Sequence, residues 1–206
     1  MSDRWAAGRA ALRAADPVLA ALVDADPGLN PDELFEGLPA RGAWEALVFG
    51  VVGQQLSVVA AAAILRRLQE RLGDGATPPP AVLAAADPDA LRAVGLSRAK
   101  AAYLKDLGAR VEDGRLDLAG LEALDDDDAR AALTAVKGVG RFTAEGVLML
   151  ALRRTDVLPA ADLALRRAVQ RAYGLPELPT TAEVDARGEA WRPWRTLAAA
   201  YLYRSR

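Results

Sequence analysis

Apolar residues recur at helical spacing along nearly the whole chain, and strict two-residue alternation is scarce. Leu12, Leu19, Leu22 and Val23 form a stripe over residues 4–24 that Asp16-Pro17 interrupts, and a polar stretch with Pro27, Pro31 and Pro39 follows. Trp44, Leu47, Val48, Val51 and Val52 predict one helix from Ala43. Ala61, Ile64, Leu65, Leu68 and Leu72 predict a second, with Gly53-Gln54-Gln55-Leu56-Ser57 between them and Ser57 suited to an N-cap. The segment 73–80 reads as a break, a short helix is expected over 81–86, and Asp87-Pro88 opens another. Ser97 should cap a helix whose core face is Ala101, Leu104, Leu107 and Val111 and which Gly114 stops. The acidic run 125–128 suits the positive end of a helix dipole and precedes Ala131, Leu133 and Val136. Three more helices are predicted: one to about residue 152, one from Asp162 to Gly174, and one from near Pro193 carrying Leu197, Tyr201 and Leu202. The expected class is all-α.

The 206 residues suffice for one compact catalytic unit. With no cysteine and no histidine, disulfides, thiolate zinc sites, a cysteine-ligated iron–sulfur cluster and Ser-His-Asp or Cys-His mechanisms are all excluded. Acid–base work must fall to Asp, Glu, Lys or Tyr. The start MSDRWAAGRA lacks the regions of a secretory signal, and no apolar run approaches the ~18 residues of a membrane span, so a soluble cytoplasmic chain without a membrane partner is expected. The net charge of −2 conceals an asymmetry: residues 1–130 carry 14 basic and 21 acidic side chains, and residues 131–206 carry 12 and 7. A basic C-terminal portion can meet a phosphate backbone, although arginines on helix faces are ordinarily just solvated.

Gly138-Val139-Gly140 lies between two helical patterns, where glycines allow a tight turn with unobstructed amides beside a helix N-terminus. Such a turn holds a phosphate or simply joins two helices. Its surroundings, Val136-Lys137-Gly138-Val139-Gly140-Arg141-Phe142-Thr143-Ala144, resemble the helix-hairpin-helix of the DNA glycosylase superfamily, with Leu158-Pro159-Ala160-Ala161-Asp162 at the place of its catalytic aspartate. Gly53-Gln54-Gln55-Leu56-Ser57, Gly95-Leu96-Ser97-Arg98-Ala99-Lys100 and Trp191-Arg192-Pro193-Trp194-Arg195 are similar, in the same order, to elements of its alkylpurine branch. The likeness covers about residues 44–204.

This resemblance implies a two-lobed helical fold: residues 44–152 as a central lobe ending in the hairpin, 1–43 plus 153–206 as the second lobe, and an active-site cleft between them. It leaves no room for the N-terminal β-rich domain of larger members. It implies hairpin contacts with DNA from Gly138, Val139, Gly140, Arg141 and Thr143, and main-chain carbonyls of Thr134, Val136 and Val139 able to hold Na⁺ or K⁺, with no cofactor required. Asp162 becomes the catalytic carboxylate, while an aspartate opening a helix is also an ordinary N-cap. Phe142 stands where strand-cleaving members have a lysine nucleophile, and an aromatic ring cannot form a Schiff base. Phe142 and Tyr203 then line the base pocket, each with core packing as the alternative, and Gln55 fills the gap left by the flipped nucleotide or is merely a polar loop residue. Gly146 and Leu163 replace aromatics of the larger bacterial member, and Ala161 replaces an acid. Trp191 and Trp194 are expected to pack their lobe. The implied function is a monofunctional base-excision-repair glycosylase, monomeric and nucleoid-associated in a bacterium, that releases alkylated bases such as 3-methyladenine and 7-methylguanine from double-stranded DNA. The alternative is a non-catalytic helix-hairpin-helix DNA-binding module, which accounts for the hairpin but not for Asp162, Phe142 and Tyr203.

Overall fold

The computed structural model describes residues 3–35 and 42–205, and among them every regular element is helical, as the apolar spacing predicted. No single described helix is long and apolar enough to cross a membrane. The chain divides into two compact units, Met1–Leu38 with Arg153–Arg206 and Pro39–Leu152. Pro39 lies outside the described residues.

The terminal unit comprises α1 (Ala6–Ala15), α2 (Pro17–Ala25), α3 (Pro31–Phe35), α11 (Leu163–Ala172), α12 (Thr181–Gly188) and α13 (Arg195–Arg204); the numbers skipped belong to the central unit. Leu12, Leu19, Val23, Leu165, Val169, Leu197 and Tyr201 are buried in one core. Trp191 is buried in it as well, and Trp194 meets the edge of Trp5 at 6.2 Å between ring centroids, so both tryptophans pack the unit. Gly8 is needed there, because a Cβ would fall 2.8 Å from the Trp194 ring.

Asp16 joins two helices and the core. Its Oδ1 accepts hydrogen bonds from the amides of Val18 (2.9 Å) and Leu19 (3.2 Å), while Pro17 occupies the first helical position, where an N–H would have no partner. Its Oδ2 accepts from the Tyr173 hydroxyl (2.5 Å) and Trp191 Nε1 (3.0 Å). Burial disfavours the charged carboxyl, but these four donors outweigh it and hold the pKa below the usual carboxylate value. Two helices depart from the sequence-based expectation. α3 forms within the polar proline stretch, and α12 forms between Gly174 and Pro193, where Thr180 and Glu183 make a reciprocal capping box. The last helix starts at Arg195 rather than Pro193.

The central unit contains α4 (Ala43–Gly53), α5 (Val58–Leu72), α6 (Pro80–Ala85), α7 (Pro88–Ala93), α8 (Arg98–Glu112), α9 (Asp126–Thr134) and α10 (Arg141–Leu150). Leu47, Val48, Val51, Leu65, Leu68, Leu104, Leu107, Leu133, Val147 and Leu148 are buried. Ala131, expected among the apolar positions of α9, is exposed, and Ala129 takes the inward position one turn before Leu133. Ser57, Ser97 and Asp125 cap α5, α8 and α9 through their side chains.

Asp16→Ala should destabilise the fold by about 3 to 5 kcal/mol, because it removes an N-cap and strands two buried donors together. The folded-state pKa is depressed, so the contribution is present at neutral pH and lost as pH falls through that value. Urea titrations should therefore show the gap between wild type and Asp16→Ala narrowing in acid; a gap that stayed constant would contradict this account.

Candidate active site

The hairpin between α9 and α10 closes with the Val139 amide donating to the Val136 carbonyl at 3.0 Å. Gly138 has φ +86°, and a Cβ there would lie 2.3 Å from the Tyr103 ring, so both the turn and its seat on Tyr103 require glycine. Gly140 differs, having φ −90° and no heavy atom within 4 Å of a built Cβ. No side chain caps α10, so the first-turn amides of Arg141, Phe142 and Thr143 point out of the helix end beside an open backbone. The Arg141 guanidinium bonds the buried Glu145 carboxylate at 2.7 Å, so that side chain braces α10. Thr143 is buried where α10 crosses α4, its Cγ2 lying 2.6 Å from a Cβ built on Gly50. Phe142 is 56% exposed, which removes core packing as an explanation of its ring. The carbonyls of Thr134, Val136 and Val139 all belong to this turn, and that of Val136 has spent one lone pair on Val139.

Gln55 stands at the tip of the α4–α5 connection, exposed and at φ +57°. Its neighbour Gln54 points the other way. Gln54 Nε2 donates to the Gly138 carbonyl at 2.6 Å and lies 3.5 Å from Thr143 Oγ1. Lys100 Nζ, from α8, donates to the carbonyls of Val52 (2.8 Å) and Gln54 (2.7 Å). Both residues lie within the motifs, but neither spacing nor residue type tells which carbonyl a long side chain will reach, so their role is not legible in the sequence.

In the terminal unit Asp162 is the N-cap of α11. Its Oδ1 accepts from the Ala164 amide at 3.1 Å, and its Oδ2 accepts from the Tyr203 hydroxyl at 2.6 Å. The preceding turn is tight, with the Asp162 amide donating to the Pro159 carbonyl at 2.8 Å. Tyr203 is half-buried, its ring packed against the core and its hydroxyl directed at the carboxylate. Asp162 and Tyr203 are thus brought together, as are Gln54, Gly138 and Thr143 in the central unit.

A sequence profile described as HhH-GPD superfamily base excision DNA repair protein matches residues 48–193. The chain belongs to the HhH-GPD superfamily. Among its HhH-GPD relatives, DNA-3-methyladenine glycosylase 1 of Schizosaccharomyces pombe is 34% identical over 163 residues, covering 79% of this chain and 72% of that protein. DNA-3-methyladenine glycosylase of Bacillus subtilis is 28% identical, covering 89% of this chain and 65% of that protein. The solved structure of the S. pombe 3-methyladenine DNA glycosylase in complex with abasic DNA superposes with a TM-score of 0.84 at 30% identity, over 95% of this chain and 94% of that one.

The two hairpin glycines should separate under mutation. Gly138→Ala must move Tyr103 and adopt a left-handed backbone, so its melting temperature should fall by several degrees, equivalent to about 1 to 3 kcal/mol. Gly140→Ala should melt within about a degree of wild type, since its φ and surroundings accept a methyl group. Equal melting of the two variants would refute this difference.

Proposed function

We propose that this protein is a monofunctional DNA glycosylase of the alkylpurine kind, which hydrolyses the N-glycosidic bond of alkylated bases in double-stranded DNA. The observation that carries the reading is the Asp162 carboxylate, held by Ala164 and Tyr203 in a chain of this superfamily. Both of its oxygens are fixed before substrate arrives, so no reorganisation is required when charge develops.

The chemistry asks little else of the protein. As the bond between the sugar C1′ and the base nitrogen breaks, its electron pair leaves with the base and the sugar gains oxocarbenium character. Asp162 stabilises that charge and orients or deprotonates the water that adds to C1′. An N3- or N7-alkylated purine is already cationic and departs without a general acid, which suits a chain with no histidine. Phe142 presents an exposed ring on which an electron-poor, flipped base can stack, and Tyr203 orients Asp162 through its hydroxyl. Because position 142 carries no amine, the reaction ends at the abasic site without strand cleavage.

DNA is gripped through the α9–α10 turn, whose uncapped amides face the backbone phosphates without reading sequence. The neutral carbonyl oxygens of Thr134, Val136 and Val139 suit a weakly held Na⁺ or K⁺, which would add positive charge beside a phosphate. Gln55, exposed at its loop tip, fills the space the flipped nucleotide vacates. The non-catalytic module leaves the Tyr203–Asp162 pair without a use. The protein acts as a soluble cytoplasmic monomer.

Asp162→Asn keeps Oδ1 to accept from the Ala164 amide and turns its Nδ2 to donate to the Tyr203 hydroxyl but loses the charge, so it should fold and bind DNA while excision falls at least about a hundredfold. Single-turnover release of 7-methylguanine from methylated duplex checks this, and near-normal turnover by the folded variant would exclude Asp162 as the catalytic group.

Phe142→Ala should lower the same rate about tenfold to a hundredfold, the worth of stacking on one base. The half-exposed ring supports the core little, so the melting temperature should barely change. Wild-type excision by Phe142→Ala would reassign the base platform to Tyr203.

A further inference from the structure

On the functional reading above, the central unit acts on DNA at two places: the α9–α10 turn at the phosphates and Gln55 at the emptied base position. These come from segments more than eighty residues apart in sequence, as Gln54 and Gly138 bound each other's neighbourhoods. Filling a gap in a base stack beside a held phosphate demands that the distance between the two contacts be fixed, because a misplacement of about 1 Å is costly at a reacting centre.

Four observations locate what fixes it. α4 ends at Gly53 with carbonyls that have no partner within the helix, and Lys100 Nζ takes those of Val52 and Gln54 together. The Gln54 side chain then reaches the hairpin at the carbonyl of Gly138, the residue whose φ defines the turn. Gly50 lies so close to Thr143 that α4 and α10 are already in van der Waals contact one turn away, which leaves the loop little freedom to pivot. Gln55, directly after Gln54, holds a left-handed backbone that a non-glycine residue adopts only when its surroundings impose it.

We propose that Lys100 and Gln54 are positioning residues that lock the Gln55 loop to the hairpin, so that gap filling and phosphate holding act as one rigid device. Lys100 acts through the carbonyl that precedes Gln55. Burial pushes its pKa below the usual lysine value, the cost of placing the amine among backbone carbonyls away from water.

The test uses the full chain and two duplexes carrying 7-methylguanine, one with the lesion opposite cytosine and one with it opposite an abasic site. Opposite an abasic site the lesion is unpaired and extrusion is easy, so gap filling contributes little. Lys100→Met should lower single-turnover excision at least about tenfold opposite cytosine, by loss of charge-assisted hydrogen bonds, but less than about twofold opposite the abasic site. A mere loss of stability would lower both. In a Gln55→Ala background Lys100→Met should cost almost nothing further, because both changes disable the same device. If Lys100→Met fails to fold, Gln54→Leu, which opens the clamp from the hairpin side, carries the same expectations. Equal losses on the two duplexes, or additive losses with Gln55→Ala, would overturn the proposal. A wild-type protein that released no base from either duplex would instead defeat the glycosylase reading, and this inference with it.

Discussion

Short helices leave a large share of their backbone polar groups without a partner inside the helix, and that constraint governs this structure. The longest described helices have only 15 residues, so the first-turn amides and last-turn carbonyls recur every few residues along the chain. At several helix starts a side chain meets part of the amide need: Asp16, Ser57, Ser97, Asp125, Asp162 and Thr180 each accept from an amide two or three residues on. α10, like α1, α4, α6 and α13, starts without a side-chain cap. At the end of α4 a lysine from another helix supplies what the loop does not.

In the terminal unit two aspartates use the same device with different burdens. Asp16 caps α2 from within the core and spends its second oxygen on Tyr173 and Trp191, so all of its capacity is structural. Asp162 caps α11 from a half-buried position and shares its second oxygen with one hydroxyl only. A carboxylate oxygen accepts more than one hydrogen bond, so Asp162 keeps capacity that Asp16 lacks. Cap and catalyst are therefore compatible roles for Asp162, and the cap supplies the orientation that the catalytic role needs.

The glycines of the hairpin illustrate how one motif combines separate requirements. Gly138 is held by sterics from within the protein, by its left-handed φ and by Tyr103 beneath it. Gly140 meets neither restriction, with open space where a side chain would sit.

Much of the architecture is legible in the sequence alone. The 3.6-residue spacing of apolar positions located the helices of the central unit. Ser57, Ser97 and Asp162 announced helix starts because capping is decided by residue type within four positions. The lack of cysteine and histidine excluded whole classes of chemistry, and the order of the motifs pointed to the superfamily. Helix α3 was hidden because proline stretches read as breaks, and α12 because only its capping box, not a strong apolar stripe, marks it. What tertiary structure decided lies in longer reach. Whether the Phe142 ring is buried or exposed, that the Tyr203 hydroxyl meets Asp162, and that Lys100 and Gln54 tie α8, α4 and the hairpin together all depend on segments far apart in sequence. Local spacing cannot place a flexible side chain against a partner forty to ninety positions away; only the packed backbone brings them within hydrogen-bond distance.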